Sequence, residues 1–209
     1  HHDLGPLGAA ENKAALIRQI KMMKQMGCDA IRTAHNMPST MQMELCDSLG
    51  MMVMAESFDM WIYPKCKNGY ANFFKEWSDK DITNLVKHHR NHPSIIMWSI
   101  GNEVPTQCSP VGYKVAKFLQ DICHREDPTR PVTCGMDQVT CVLANGFAAM
   151  IDIPGLNAEM LSCDRGFSGM MGGVSELKEL DPSKSASLCF SKPIVISYNA
   201  RMRSADPGG

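Results

Sequence analysis

The run Trp98-Ser99-Ile100-Gly101-Asn102-Glu103 sets an amide and a carboxylate side by side at the end of an apolar stretch. The preceding Ser94-Ile95-Ile96-Met97 reads as a strand covered on both faces, which belongs in a parallel α/β sheet. In such sheets the chemistry sits beyond the carboxyl ends of the strands. A carboxyl at that spot can protonate a glycosidic oxygen, while the neighbouring amide holds an adjacent hydroxyl. Other polar residues recur where strands should end: Arg32 and His35 after Cys28-Asp29-Ala30-Ile31, and Glu56 after Met51-Met52-Val53-Met54. A rim that collects side chains from several strands is what a (β/α)8 barrel provides.

The elements that must position these residues alternate. Residues 11 to 26 have apolar Leu16, Ile20 and Met23 at helical spacing, with Gly27 as a stop. A short strand follows over 28 to 33, a turn around Pro38, and a second helix over about 40 to 49 ending at Gly50. The strand 51 to 54 leads into a polar-aromatic loop from Ser57 to about Asp79, holding Trp61, Tyr63, Tyr70, Phe73, Phe74 and Trp77. A third helix is expected from about Lys80 to His89, with His88, His89 and His92 capping and packing rather than catalysing. Ser109 as cap and Pro110 at the first position predict the next helix, with Val111, Val115, Phe118, Leu119 and Ile122 on its apolar face. Asp127 to Pro131 is a turn, Val132-Thr133-Cys134 a short strand, 139 to 149 ambiguous, and 151 to 153 a further strand ending near Asn157.

Strands alternating with helices predict βα units and a parallel sheet. No phosphate-cradling glycine pattern follows the first strands, so a dinucleotide fold gains no support. The fold class expected is α/β, a TIM barrel, and since a full barrel takes about 250 residues, part of it is expected to be missing or degenerate towards the C-terminal end. The chain has 209 residues, enough to bury a real core. Its 44% hydrophobic and 21% charged residues are ordinary for a globular protein. A net charge of −1 offers no electrostatic case for nucleic acid or an anionic membrane surface. Apolar runs fall short of the roughly 20 residues that a membrane helix needs. No signal peptide opens the chain, and its start at His1 looks cut from something longer, so the expectation leans to the cytoplasm or periplasm as part of a larger protein. Nine Cys without a CxxC pair or zinc spacing read as reduced core thiols, and the 17 Met as core filler.

Four stretches together carry a resemblance: His1-His2-Asp3 with Leu7-Gly8-Ala9-Ala10, Ile31-Arg32-Thr33-Ala34-His35-Asn36, Arg90-Asn91-His92-Pro93-Ser94, and the Glu103 run. Over about residues 1 to 157 the chain resembles glycoside hydrolase family 2, which includes β-galactosidases, β-glucuronidases and β-mannosidases. The resemblance implies a catalytic TIM barrel acting on terminal β-linked sugars, β-galactosides first, by a retaining mechanism. Glu103 matches the general acid/base at the end of the fourth strand, and Asn102 the amide that binds the sugar 2-hydroxyl. His35 matches a substrate contact, and His1 the histidine ending the first strand, also a substrate contact. Arg32 is placed as a partner holding carboxylates, and Glu56 as a supporting acid. No Glu-x-His pair stands in Ser57-Phe58-Asp59-Met60-Trp61, so no metal and no cofactor are expected.

The likeness fades over 158 to 209, a divergent tail with a candidate seventh strand at 193 to 198. Retention needs a second carboxylate about 5 to 5.5 Å from the first. The family places a Glu after that strand, but Tyr198 stands there. A phenol, with an unperturbed pKa of about 10, is a poor replacement without a base beside it. Two alternatives therefore stand beside the hydrolase: a catalytically inactive barrel that binds sugar or nothing, and an inverting barrel with another base. A carbohydrate is the expected partner, with self-association through exposed barrel edges.

Overall fold

The computed structural model describes residues 7, 9–157 and 195–197. Its helices and strands alternate as the periodicities require: α1 Lys13–Gln25, β1 Ala30–Arg32, α2 Thr40–Leu49, β2 Met52–Glu56, α3 Ala71–His89 and β3 Ile95–Asn102. A 3-10 turn, Pro105–Cys108, leads to α4 Gly112–Glu126, β4 Val132–Met136, α5 Val139–Ala144, α6 Phe147–Met150, β5 Ile153–Asn157 and β6 Val195–Ser197. The sheet order is β1-β2-β3-β4-β5-β6, and every neighbouring pair is parallel. Sequential, all-parallel order with helices between the strands is the arrangement of a (β/α)8 barrel. The chain is an α/β TIM-barrel domain, and six of its strands lie among the described residues. β6 lies beside β5 with Gly155 opposite Val195; Tyr198 is outside the described residues.

Local chemistry sets the element ends. Asn12 caps α1 by accepting from the Ala15 N–H, and Ser39 caps α2 through the Gln42 N–H, both at 3.1 Å. Gly50 closes α2 in the left-handed region, φ 68°, where a Cβ is unfavourable. Leu16 and Ile20 of α1, Met43 and Cys46 of α2, Ile82, Leu85 and Val86 of α3, and Leu119 and Ile122 of α4 form one core with Val53, Trp98, Ile100 and Val132 of the strands.

Several expectations need correction. Helix α3 begins at Ala71 rather than near Lys80. The aromatics read as loop residues supply its first turns: Phe74 is buried against Phe58, Tyr70 and Trp61, while Phe73 and Trp77 face outward. An aromatic every three or four residues is helical spacing, which the polar residues between them obscured. Helix α4 starts at Gly112 with Val111 as its cap residue, not at Pro110 after Ser109. The Ser109 hydroxyl instead donates to the Thr106 carbonyl at 2.7 Å, closing the 3-10 turn. Val111 and Phe118 are exposed, and Ala116, Leu119, Ile122 and Cys123 make the buried face. The ambiguous 139 to 149 forms two short helices parted by Gly146 at φ 81°. Not all cysteines are free thiols: Cys108 and Cys141 form a disulfide, their Cα atoms 5.5 Å apart. Cys28, Cys46, Cys66, Cys123 and Cys134 remain thiols.

At the opposite end of the strands from the candidate site, Asp127 accepts from the Trp98 indole at 3.1 Å, Arg130 Nη1 at 2.6 Å and the Thr129 N–H at 3.0 Å. Burial raises the Asp127 carboxyl, but these hydrogen bonds outweigh it and hold the group below its ordinary range. A depressed carboxyl contributes stability that is present above the unfolded-state pKa, about 3.9, and is lost as pH falls through the folded value. Asp127→Asn should therefore weaken the chain near neutrality and flatten its loss of stability below about pH 4, read by urea unfolding across pH. Leu119→Ala, which empties a fully buried site, should cost about 3 kcal/mol in the same measurement at neutral pH.

Candidate active site

The last residues of four strands meet at one end of the sheet: Arg32 of β1, Glu56 of β2, Asn102 of β3 and Asn157 of β5. Arg32 is the hub. Its Nε donates to Glu56 Oε2 at 2.6 Å, Nη2 to Asn102 Oδ1 at 2.9 Å, and Nη1 to Asn157 Oδ1 at 3.3 Å. Glu56 is completely buried, so its charge needs full pairing. Besides Arg32 it accepts from the Ser99 hydroxyl at 2.6 Å, and its Oε1 pairs with His35 Nδ1 at 2.7 Å. Its backbone N–H donates to the Thr33 hydroxyl at 2.9 Å, which ties the ends of β1 and β2 together.

Asn157 joins this cluster to Glu103. Its Nδ2 donates to Asn102 Oδ1 at 2.9 Å and to Glu103 Oε1 at 2.5 Å, so an amide orients the half-buried carboxyl. Glu103 itself has φ 43°, and among the described residues it is the one non-glycine with positive φ. That conformation costs roughly 1–2 kcal/mol for an L side chain. The surroundings impose it: the Glu103 N–H donates to Gly135 O at 2.7 Å, and Lys65 Nζ donates to the Asn102 carbonyl just before it at 2.8 Å. The same Nζ donates to Asp59 Oδ1 at 2.8 Å, which also accepts from Asn102 Nδ2 at 3.0 Å. Strand β4 sends no long side chain into the cluster. A Cβ on Gly135 would lie 2.8 Å from Arg32 Nη2 and 3.1 Å from Asn157 Oδ1, so glycine is what lets the guanidinium pass. Cys134 beside it is a filler, since burial first and Glu56 second push its thiol well up.

Five sequence-identified residues, Arg32, His35, Glu56, Asn102 and Glu103, are thus brought into one connected cluster. His1 lies outside the described residues. Asn157, Asp59, Lys65 and Ser99 were not identified in advance. Asn157 carried the same signal as Glu56, a polar residue closing an apolar strand, whereas Lys65 sits in an irregular loop where no spacing rule applies. Among the described residues no three His, Cys, Asp or Glu side chains gather in a way that could hold a metal ion. A carboxyl held at a strand end beside two amides can exchange a proton with a bound oxygen and hold neighbouring hydroxyls.

Comparison with known proteins fits this geometry. The model for the TIM barrel domain of glycosyl hydrolases family 2 matches residues 1–202. A β-galactosidase of Bacteroides ovatus is 38% identical over 169 residues, covering 66% of this chain and 20% of that protein. A β-glucuronidase of Felis catus is 31% identical over 135 residues, covering 64% and 20%. The crystal structure of a glycosyl hydrolase family 2 member from Bacteroides cellulosilyticus superimposes with a TM-score of 0.71 at 38% identity, over 78% of this chain and 21% of that one. The chain thus spans about a fifth of the length of these curated relatives.

The buried Arg32–Glu56 pair makes a direct prediction. Glu56→Gln leaves the guanidinium without its counter-charge and should destabilise the chain by about 3 kcal/mol, measured by denaturant unfolding at neutral pH.

Proposed function

Since the chain belongs to glycosyl hydrolase family 2, we propose that its barrel rim binds a terminal β-linked sugar, β-galactosides first, and that Glu103 is the proton donor for cleavage. The observation that carries this reading is the bond from Asn157 to Glu103, which aims a carboxyl at the end of a barrel strand beside Asn102. In the proposed retaining reaction Glu103 gives its proton to the leaving glycosidic oxygen as the second carboxylate that retention requires, a group the sequence does not place, attacks the anomeric carbon. The deprotonated Glu103 then takes a proton from water, which displaces the enzyme from that carbon with overall retention. Asn102 holds the 2-hydroxyl, His35 and His1 contact the sugar, and Arg32 and Glu56 keep the strand ends in register. A neutral sugar is favoured over a uronate because Arg32 and Lys65 already face Glu56 and Asp59.

Tyr198, standing where the family places its nucleophilic Glu, favours a second reading: a barrel that binds a sugar without cleaving it. Hydrolysis of an aryl β-galactoside by the purified chain separates the two. The first reading expects turnover that Glu103→Gln lowers by about 100-fold or more, with the β-anomer released first in the product. Turnover that survives Glu103→Gln would remove Glu103 from this role, and galactoside binding without turnover would favour the second reading.

A further inference from the structure

We propose that Asp59 is an additional sugar-contacting residue, accepting the hydrogen of the hydroxyl that Asn102 holds, and that Lys65 is the residue that positions it. The assignment rests on the reading that this rim binds a sugar. Asp59 lies beyond the end of β2, in the loop before α3, outside the strand-end pattern that marks the other site residues. One of its oxygens is doubly engaged: Oδ1 accepts from Asn102 Nδ2 at 3.0 Å and from Lys65 Nζ at 2.8 Å. Oδ2 has no hydrogen-bond partner among the described residues, and the side chain as a whole is 38% exposed.

Asn102 presents the matching donor. Its Nδ2 carries two hydrogens, of which one goes to Asp59, and its Oδ1 is filled by Arg32 and Asn157. The two oxygens of a carboxylate lie closer together than a hydrogen bond is long. Asp59 Oδ2 and Asn102 Nδ2 are therefore within the span that a single hydroxyl oxygen bridges, accepting from the amide and donating to the carboxylate. A hydroxyl is both donor and acceptor, which an ether or a deoxy carbon cannot imitate, and the bond to an ionised carboxylate is the stronger kind.

Lys65 makes this arrangement specific. By bonding both Asp59 Oδ1 and the Asn102 carbonyl, each at 2.8 Å, it turns one oxygen away from the ligand and fixes the other. It also sets a positive charge against the Asp59 carboxylate, at the carbonyl of the residue that precedes Glu103. Lys65 acts through Asp59 and is not itself placed against the sugar.

The test is titration calorimetry of the full 209-residue chain with methyl β-galactoside and methyl β-glucuronide, then with the 2-deoxy form of whichever binds. Asp59→Asn, nearly isosteric, should weaken binding of the parent glycoside roughly tenfold or more while leaving the 2-deoxy form nearly unchanged. Lys65→Met should show a smaller loss, again confined to the parent glycoside, which Lys65→Arg restores. Because it is read on the same pair of ligands, Lys65→Met tests the coupling even if Asp59→Asn does not fold. Parent binding at wild-type strength in Asp59→Asn, or an equal loss for parent and 2-deoxy forms in either variant, overturns the assignment. Binding of neither parent glycoside by the wild-type chain overturns instead the reading of the rim as a sugar site, and the assignment with it.

Discussion

A buried guanidinium facing a buried carboxylate is the constraint on which the rim depends. Arg32 and Glu56 come from neighbouring parallel strands and close at 2.6 Å with Glu56 fully out of water. Burying such a pair is expensive unless the remaining donors and acceptors are also satisfied. Here Ser99 and Asn102 of β3, His35 of the loop after β1 and Asn157 of β5 do this. The pair is worth little as a source of stability but much as a device of register. If any of those strands slipped by one residue, its side chain would turn to the other face and leave a charge unpaired.

Register at the strand ends then becomes geometry at Glu103. Asn157 reaches the carboxyl only because Arg32 and Asn102 hold its amide from the other side. Gly135 leaves the room for this crossing, and its carbonyl accepts the Glu103 N–H in a conformation that an isolated chain would avoid. Local strain held by surrounding bonds is common at residues that must present a side chain in one direction.

The segment after Glu103 is secured as well. Gln107, fully buried, donates to the Val104 carbonyl at 3.0 Å and to Asp137 at 2.5 Å, while its own carbonyl accepts from Asn145 at 2.7 Å. The Cys108–Cys141 disulfide joins the same two segments covalently. The loop that carries Glu103 is thereby tied to the one that follows β4, and the carboxyl rests on a supported backbone rather than a free loop tip.

Much of this was legible in the chain. Apolar runs closed by polar residues marked β1, β2 and β3 with Arg32, Glu56 and Asn102 at their ends, because strand periodicity and burial act over a few residues. The turn at Pro38 and the stop at Gly50 placed α2 almost to the residue for the same reason. What failed was decided at longer range. The start of α3 depended on Phe74 finding Phe58 and Trp61, and Ser109 was drawn from a helix cap to the Thr106 carbonyl. The cysteine pairing depended on the 3-10 turn and α5, 33 residues apart at the two sulfurs, meeting. Asn157 is 54 residues from Glu103 and Lys65 is 37 from Asn102, so no local pattern could couple them. Short-range physics in the sequence determined which residues end the strands; only the curving of the sheet decided which of them touch, because contact between strand ends is a property of the sheet's curvature and register rather than of any one segment.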